Sequence, residues 1–104
     1  MPEFSRISIA QAQTIIEQSD PLIVDVRDPQ SYSCSHIEGA VHLNNDTIAE
    51  FLEHNSRDRP VIVYCYHGNS SMGAGQLLAE QGFQQVMSMD GGFEAWRQSY
   101  PAEG

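Results

Sequence analysis

The sequence predicts an α/β domain with a mostly parallel five-stranded sheet flanked by helices on both faces. Strand-length apolar runs, such as Leu22-Ile23-Val24 and Val61-Ile62-Val63-Tyr64, alternate with segments of helical spacing. These runs are continuously apolar, as in strands covered on both faces. The length of 104 residues gives one domain over residues 1–104 with a single core and no room for a second.

Taken in order, Arg6-Ile7 reads as an edge strand. Ser8-Ile9-Ala10-Gln11 then has the form of a capping box, and Ile9, Ala12, Ile15 and Ile16 fall on one face of a helix running to about Gln18. Asp20-Pro21 ends it. The run from Leu22 through Arg27 has strand length, and Asp28-Pro29 supplies an N-cap and a first-turn proline for a short helix through Tyr32 toward Cys34. His36 to Ala40 is a turn into the strand Val41-His42-Leu43. Asn44, Asn45 and Asp46 offer caps for a helix with Ile48, Phe51 and Leu52 buried, ending near Asn55. The polar loop from Ser56 to Pro60 leads to the strand Val61–Tyr64. After a loop at Cys65, Ala74, Leu77 and Leu78 are expected on one helical face, with Gly82 as the residue that closes the helix. Val86–Met89 is the last strand, Asp90-Gly91-Gly92 a turn, and a final helix begins with Phe93 and stops before Pro101.

Composition excludes several functions. The formal net charge is −9, all five basic residues are arginine, and no stretch gathers them, so neither nucleic acid nor an anionic membrane is an expected partner. No apolar run reaches spanning length, and the start Met1 to Arg6 lacks the pattern of a signal peptide, so a cytoplasmic location is expected. In that compartment Cys34 and Cys65 are reduced thiols rather than a bridge. His42 and His54 show no metal-ligand spacing with each other or with the cysteines, and no metal is expected.

The chemistry is expected at Cys65. It stands where a buried strand ends and a helix is about to begin, at the carboxyl end of a strand where active sites of parallel sheets lie. Tyr66, His67, Gly68, Asn69, Ser70 and Ser71 follow it, and Gly68 and Asn69 both tolerate positive φ. Such a loop can turn successive N–H groups inward as an anion-binding nest, with the helix dipole behind it. A thiol held there has its pKa lowered. The residues leave a second reading open, in which Cys65 is a buried structural thiol. For His67 both assistance to Cys65 and a solvent-facing position stay open. Asp25 and Arg27 read as a buried framework, His36 as a structural residue of its turn, Cys34 as a bystander, and Phe93 with Trp96 as packing for the last helix.

Four ordered segments, Val24-Asp25-Val26-Arg27, His36-Ile37-Glu38-Gly39-Ala40, the loop from Cys65 to Ser71, and Asp90-Gly91-Gly92-Phe93-Glu94-Ala95-Trp96, make the chain resemble the rhodaneses, and in detail the bacterial single-domain thiosulfate sulfurtransferases. The resemblance covers nearly the whole chain. It implies a rhodanese-like fold and a double displacement in which Cys65 takes the outer sulfur of thiosulfate as a persulfide and releases sulfite. An acceptor, cyanide or a dithiol such as thioredoxin, then removes the sulfur, with no cofactor needed. It also implies that the N–H groups of residues 66 to 70 hold the persulfide. A carrier domain loaded by another persulfide donor is the alternative. Many rhodaneses have Arg or Lys within or just after the loop, where this chain has Ser70, Ser71 and Met72, so weak binding of thiosulfate is expected. Related phosphatases place an arginine six positions after the cysteine; here that position is Ser71, which disfavours phosphoryl chemistry.

Overall fold

The computed structural model describes residues 3–100 and 102. Pro101, expected just past the last helix, lies outside the described residues. The elements are β1 (Ser5–Ile7), α1 (Ile9–Ser19), β2 (Leu22–Asp25), α2 (Pro29–Cys34), β3 (Val41–His42), α3 (Ile48–His54), β4 (Val61–Tyr64), α4 (Ser70–Glu80), β5 (Val86–Met89) and α5 (Gly92–Ser99). The strands form one sheet in the order β1-β5-β4-β2-β3, with every pairing parallel.

Strand alternation sorts the core into two layers. On one face Ile23, Ile62, Tyr64, Met87 and Met89 pack with Ala12 of α1 and with Phe93 and Trp96 of α5. On the other, Val24, Val61, Val63 and Val86 pack with Phe51 of α3 and Leu78 and Ala79 of α4. All four residues of β4 are fully buried, as the continuous apolar run requires of a central strand. Each such side chain is worth roughly 1.5–3 kcal/mol of burial.

Local chemistry sets the element ends. Ser8 and Gln11 form both halves of the capping box on α1. The apolar run from Leu22 ends as strand at Asp25, short of Arg27, because the Asp25 carboxylate accepts the Arg27 N–H at 2.8 Å and bends the chain. Asp28 caps α2 by accepting the Ser31 N–H at 3.1 Å. At α3 the side chain of Asn44 accepts the N–H groups of Asp46 and Thr47, so Asn44 organises the approach while Thr47 stands at the N-cap without a side-chain cap bond.

The last turn of α4 closes with Gly82 N–H on Ala79 O at 3.0 Å and Phe83 N–H on Leu78 O at 3.2 Å, with Gly82 at φ +102°. This is the pattern of a Schellman stop, with Phe83 packed in the same layer as Leu78. One expectation for α4 is corrected. Leu77 is 40% exposed, and the buried face is Ser71, Gly75, Leu78 and Ala79. The helix starts at Ser70, so spacing from Ser71 rather than from Ala74 sets the inward stripe.

Two adjacent strands send their crossovers in opposite directions. From β2 the chain passes through α2 to the edge strand β3, and from β4 it passes through α4 to β5 on the other side. The loops after β2 and β4 therefore part at their carboxyl ends, which is where parallel sheets open a crevice for chemistry. Both loops carry residues singled out in the sequence: Arg27 and Asp28 after β2, Cys65 to Ser71 after β4.

Candidate active site at the Cys65 loop

Cys65 is the first residue beyond β4, 3% exposed. Its Sγ accepts the backbone N–H groups of Gly68 and Ser71, each at 3.2 Å. Asn69, at the N-cap of α4, makes no side-chain cap bond. Ser71 is the second residue of the helix, whose N–H an N-cap side chain ordinarily takes. The sulfur fills that role, so the first turn of α4 is capped by the Cys65 side chain, and the helix dipole favours negative charge on that sulfur.

Burial pushes the Cys65 thiol up, but hydrogen bonds from the Ser71 side chain and backbone and from the Gly68 and His67 backbone outweigh it, leaving the pKa lowered. A lowered pKa favours the thiolate form of Cys65 over that of an ordinary cysteine. Two N–H groups converge on its sulfur, the arrangement an anion-binding loop requires.

The expected donor span of residues 66 to 70 is shifted by one. Gly68 lies within it, whereas Ser71 is the first residue past it, because a helical first turn rather than loop backbone supplies the second N–H. Gly68 adopts φ +100°, and a Cβ there would lie 3.0 Å from Gly91 N, so loop closure requires glycine. Tyr66 turns its side chain across the crevice instead: its hydroxyl meets the Asp28 carboxylate and lies 2.6 Å from Ser31 Oγ. Those contacts hold the Asp28 pKa down at about 2, the Tyr66 hydroxyl first and then Ser31. His67, Asn69 and Ser70 are exposed along the outer edge of the loop.

The β5–α5 turn buttresses the loop from below. Phe93 N–H donates to Cys65 O at 2.8 Å and Glu94 N–H to Tyr66 O at 3.0 Å, so the first turn of α5 is anchored on the carbonyls of Cys65 and the residue after it. Gly91 and Gly92 both have positive φ. Asp25 and Arg27 form the expected buried framework. Arg27 grips the Asp25 carboxylate through Nε and Nη2, with the shortest contact 2.7 Å, donates to Ser35 O, and lays its guanidinium 4.2 Å from the Phe93 ring centroid. The Asp25 partnership outweighs burial and raises the Arg27 pKa.

The remaining candidates fall elsewhere. His36 bonds Tyr32 O and stacks on the Tyr32 ring, His42 bonds Arg27 O, and His54 bonds Glu50 O. Cys34 is exposed at the end of α2. Phe93 and Trp96 are buried against the sheet. Among the described residues no group of three or more His, Cys, Asp or Glu side chains is placed to hold a metal ion, and no helix is long and apolar enough to cross a membrane.

Three relationships at the site were not read from the sequence: Asp28 as the partner of Tyr66, the packing of Gly92 beneath Cys65, and Ser88, whose buried hydroxyl lies 2.8 Å from Ser71 Oγ. For Ser88 the signal was available, as a polar residue inside a strand otherwise made of Val and Met.

Comparison with known proteins agrees with this architecture. The family model described as "Rhodanese-like domain" matches residues 8–99. The rhodanese-like domain of an Anabaena sp. protein superposes with a TM-score of 0.85 at 27% identity, covering 100% of this chain and 80% of that one. A rhodanese-related protein from Thermoplasma volcanium gives a TM-score of 0.79 at 26% identity, covering 96% of this chain and 98% of that one. A protein of unknown function from Rhodopseudomonas palustris, described as a possible tyrosine phosphatase, gives 0.81 at 26% identity, covering 96% of this chain and 85% of that one. With the family model spanning nearly the whole chain and the cysteine loop at the carboxyl end of its central strand, this protein belongs to the rhodanese-like domain family.

Proposed function

We propose that the domain is a sulfurtransferase that moves sulfane sulfur from thiosulfate to a thiophilic acceptor through a persulfide on Cys65. The observation that carries this reading is the pair of N–H groups, from Gly68 and Ser71, that meet Sγ at 3.2 Å each. The Cys65 thiolate attacks the outer sulfur of thiosulfate. A new S–S bond forms, the bond to the sulfonate sulfur breaks, and its electron pair leaves on sulfite. The persulfide anion so formed is stabilised by the donors and helix end that stabilise the thiolate. Cyanide then attacks the terminal sulfur, leaving as thiocyanate and restoring the thiolate. A dithiol such as thioredoxin serves the same step, its second thiol closing a disulfide as hydrosulfide departs.

Incubation with thiosulfate followed by intact-mass measurement tests the first half-reaction. The expected result is a gain of one sulfur that is absent in Cys65→Ala. Thiocyanate formation undiminished in Cys65→Ala would overturn the reading.

One observation favours a carrier domain as a second reading. Each of the five arginines has partners: Arg6 with Asp90, Arg27 with Asp25, Arg57 with backbone carbonyls, Arg59 with Asp20 O, and Arg97 with Glu94. No cation in the loop greets a sulfonate, so a protein persulfide delivering one sulfur suits the site as donor. Steady-state comparison of thiosulfate with polysulfide and persulfide donors separates the two. The phosphatase description of the R. palustris protein is not carried over, because Ser71 replaces the arginine that would grip a phosphoryl group bidentately.

A further inference from the structure

We propose that Ser88 is a positioning residue for the nucleophile, acting through Ser71: its hydroxyl holds the Ser71 side chain so that Ser71 stays aimed at Cys65 Sγ. Ser88 lies on β5, outside the cysteine loop, and its backbone is fixed in register opposite Val63 and Arg6. Ser71 and Ser88 are both fully buried, and their Oγ atoms are 2.8 Å apart.

Ser71 reaches the Cys65 sulfur through its backbone N–H, at 3.2 Å. The bond between the two buried hydroxyls ties the Ser71 side chain to β5, so the residue that carries this N–H is held from the sheet side as well as by its helix. Buried hydroxyls left without a partner are costly, which keeps the pair together and the N–H in place.

The ionisable groups on the surrounding elements are otherwise engaged or peripheral. Asp25 holds Arg27, Asp28 meets Tyr66, Asp90 pairs with Arg6, and Glu94 pairs with Arg97. His67 is exposed on the loop. None of the four pairs includes the sulfur, whose hydrogen bonds come from the Gly68 and Ser71 N–H groups.

This inference rests on Cys65 being used as a thiolate, as in the proposed function, but its test needs no sulfur donor and so fails or holds separately. In a Cys34→Ser background, alkylation of Cys65 by iodoacetamide is followed by peptide mass across a pH series. Ser88→Ala is expected to slow alkylation at neutral pH by roughly 3- to 10-fold, the equivalent of one modest hydrogen bond, and to move the pH profile upward. Ser71→Ala is expected to do the same or more, and the double variant to be no slower than Ser71→Ala, since Ser88 acts only through Ser71. Ser88→Val and Ser88→Thr match in shape and differ in the hydroxyl, so their comparison separates the donor from packing even if both lose stability. Faster alkylation in Thr than in Val supports the proposal. Equal rates in that pair, a wild-type profile in Ser88→Ala, or additive losses in the double variant would overturn it.

Discussion

Gly92 packs against Cys65 so closely that a Cβ on Gly92 would stand 2.5 Å from the Cys65 carbonyl oxygen and equally close to Tyr66 C and O. The obstacle is backbone on both sides, and the φ of +60° disfavours a side chain independently. Two consecutive N–H groups, of Phe93 and Glu94, depend on this approach to reach the carbonyls of Cys65 and Tyr66. The glycine turn thus fixes the height of the Cys65 loop above the sheet.

Gly92→Ala is therefore expected to destabilise the fold by roughly 2–4 kcal/mol, from overpacking together with the left-handed backbone. Because relief requires the Cys65–Tyr66 peptide to move, persulfide loading should fall in the fraction that remains folded. Urea unfolding and sulfur-loading mass spectrometry on the same sample check this. Full stability with wild-type loading would mean that the α5 start does not set the loop.

Breaking the Asp25–Arg27 pair is expected to cost more than removing it. Asp25 is fully buried and Arg27 is 6% exposed, so Asp25→Asn leaves a guanidinium enclosed with its counter-charge gone. A loss of roughly 3–5 kcal/mol is expected by denaturant unfolding. That is a large share of a typical domain's stability. Replacing both partners, Asp25→Asn with Arg27→Gln, should recover part of it, and a double variant as unstable as the sum of the two singles would argue against direct coupling.

Tyr66→Phe removes the donor that links the cysteine loop to Asp28 while keeping the ring. The Asp28 carboxylate has its pKa depressed to about 2 from 3.8 in the folded state, by the Tyr66 hydroxyl foremost. A carboxylate lowered on folding stabilises the native state at pH above its ordinary value and ceases to do so as pH falls through the folded value. The stability difference between wild type and Tyr66→Phe should therefore be constant above about pH 4 and shrink toward pH 2. Thermal melts over that range at fixed salt measure it. A difference that persists unchanged at pH 2 would assign the effect to the ring's packing.

The order of elements was legible because continuous apolar runs, a capping box at Ser8 and a proline after Asp28 are short-range signals. So was the place of the cysteine loop between β4 and α4, since strand end, glycine and helix start occur together around Cys65. Less visible were features made by distant segments meeting. Gly92 reads as a turn residue until the Cys65–Tyr66 peptide is found above it, and Asp28 reads as a helix cap until Tyr66 arrives from across the crevice. The α4 face was misphased because the sequence places its apolar residues at Ala74, Leu77 and Leu78, whereas Ser71 and Gly75 occupy the inward stripe that small residues leave for close packing. Gly75 shows why: a Cβ there would meet the Phe4 ring at 3.3 Å.

Met72→Lys is expected to improve the handling of thiosulfate. Met72 is half-buried in the first turn of α4, next to Ser71, whose N–H reaches the sulfur. Thiosulfate is a dianion approaching a chain of net charge −9, and a cation at this position offers its sulfonate a partner that the engaged arginines do not. The KM for thiosulfate should fall roughly 3- to 10-fold at low salt, equivalent to about 0.7–1.4 kcal/mol, with little change in kcat if the cation acts mainly on binding. The same charge sits unfavourably at the positive end of the helix dipole, so a stability loss of about 0.3–1 kcal/mol should accompany the gain. Raising ionic strength should erode both effects, because screening shortens to about 3 Å near 1 M salt. Steady-state cyanide assays at low and high salt, with thermal melts alongside, measure the three quantities together. If KM is unchanged at low salt while stability falls, the lysine senses the helix end but the donor's sulfonate does not lie there, which would move the site of donor recognition away from α4 and toward the exposed edge at His67 and Asn69.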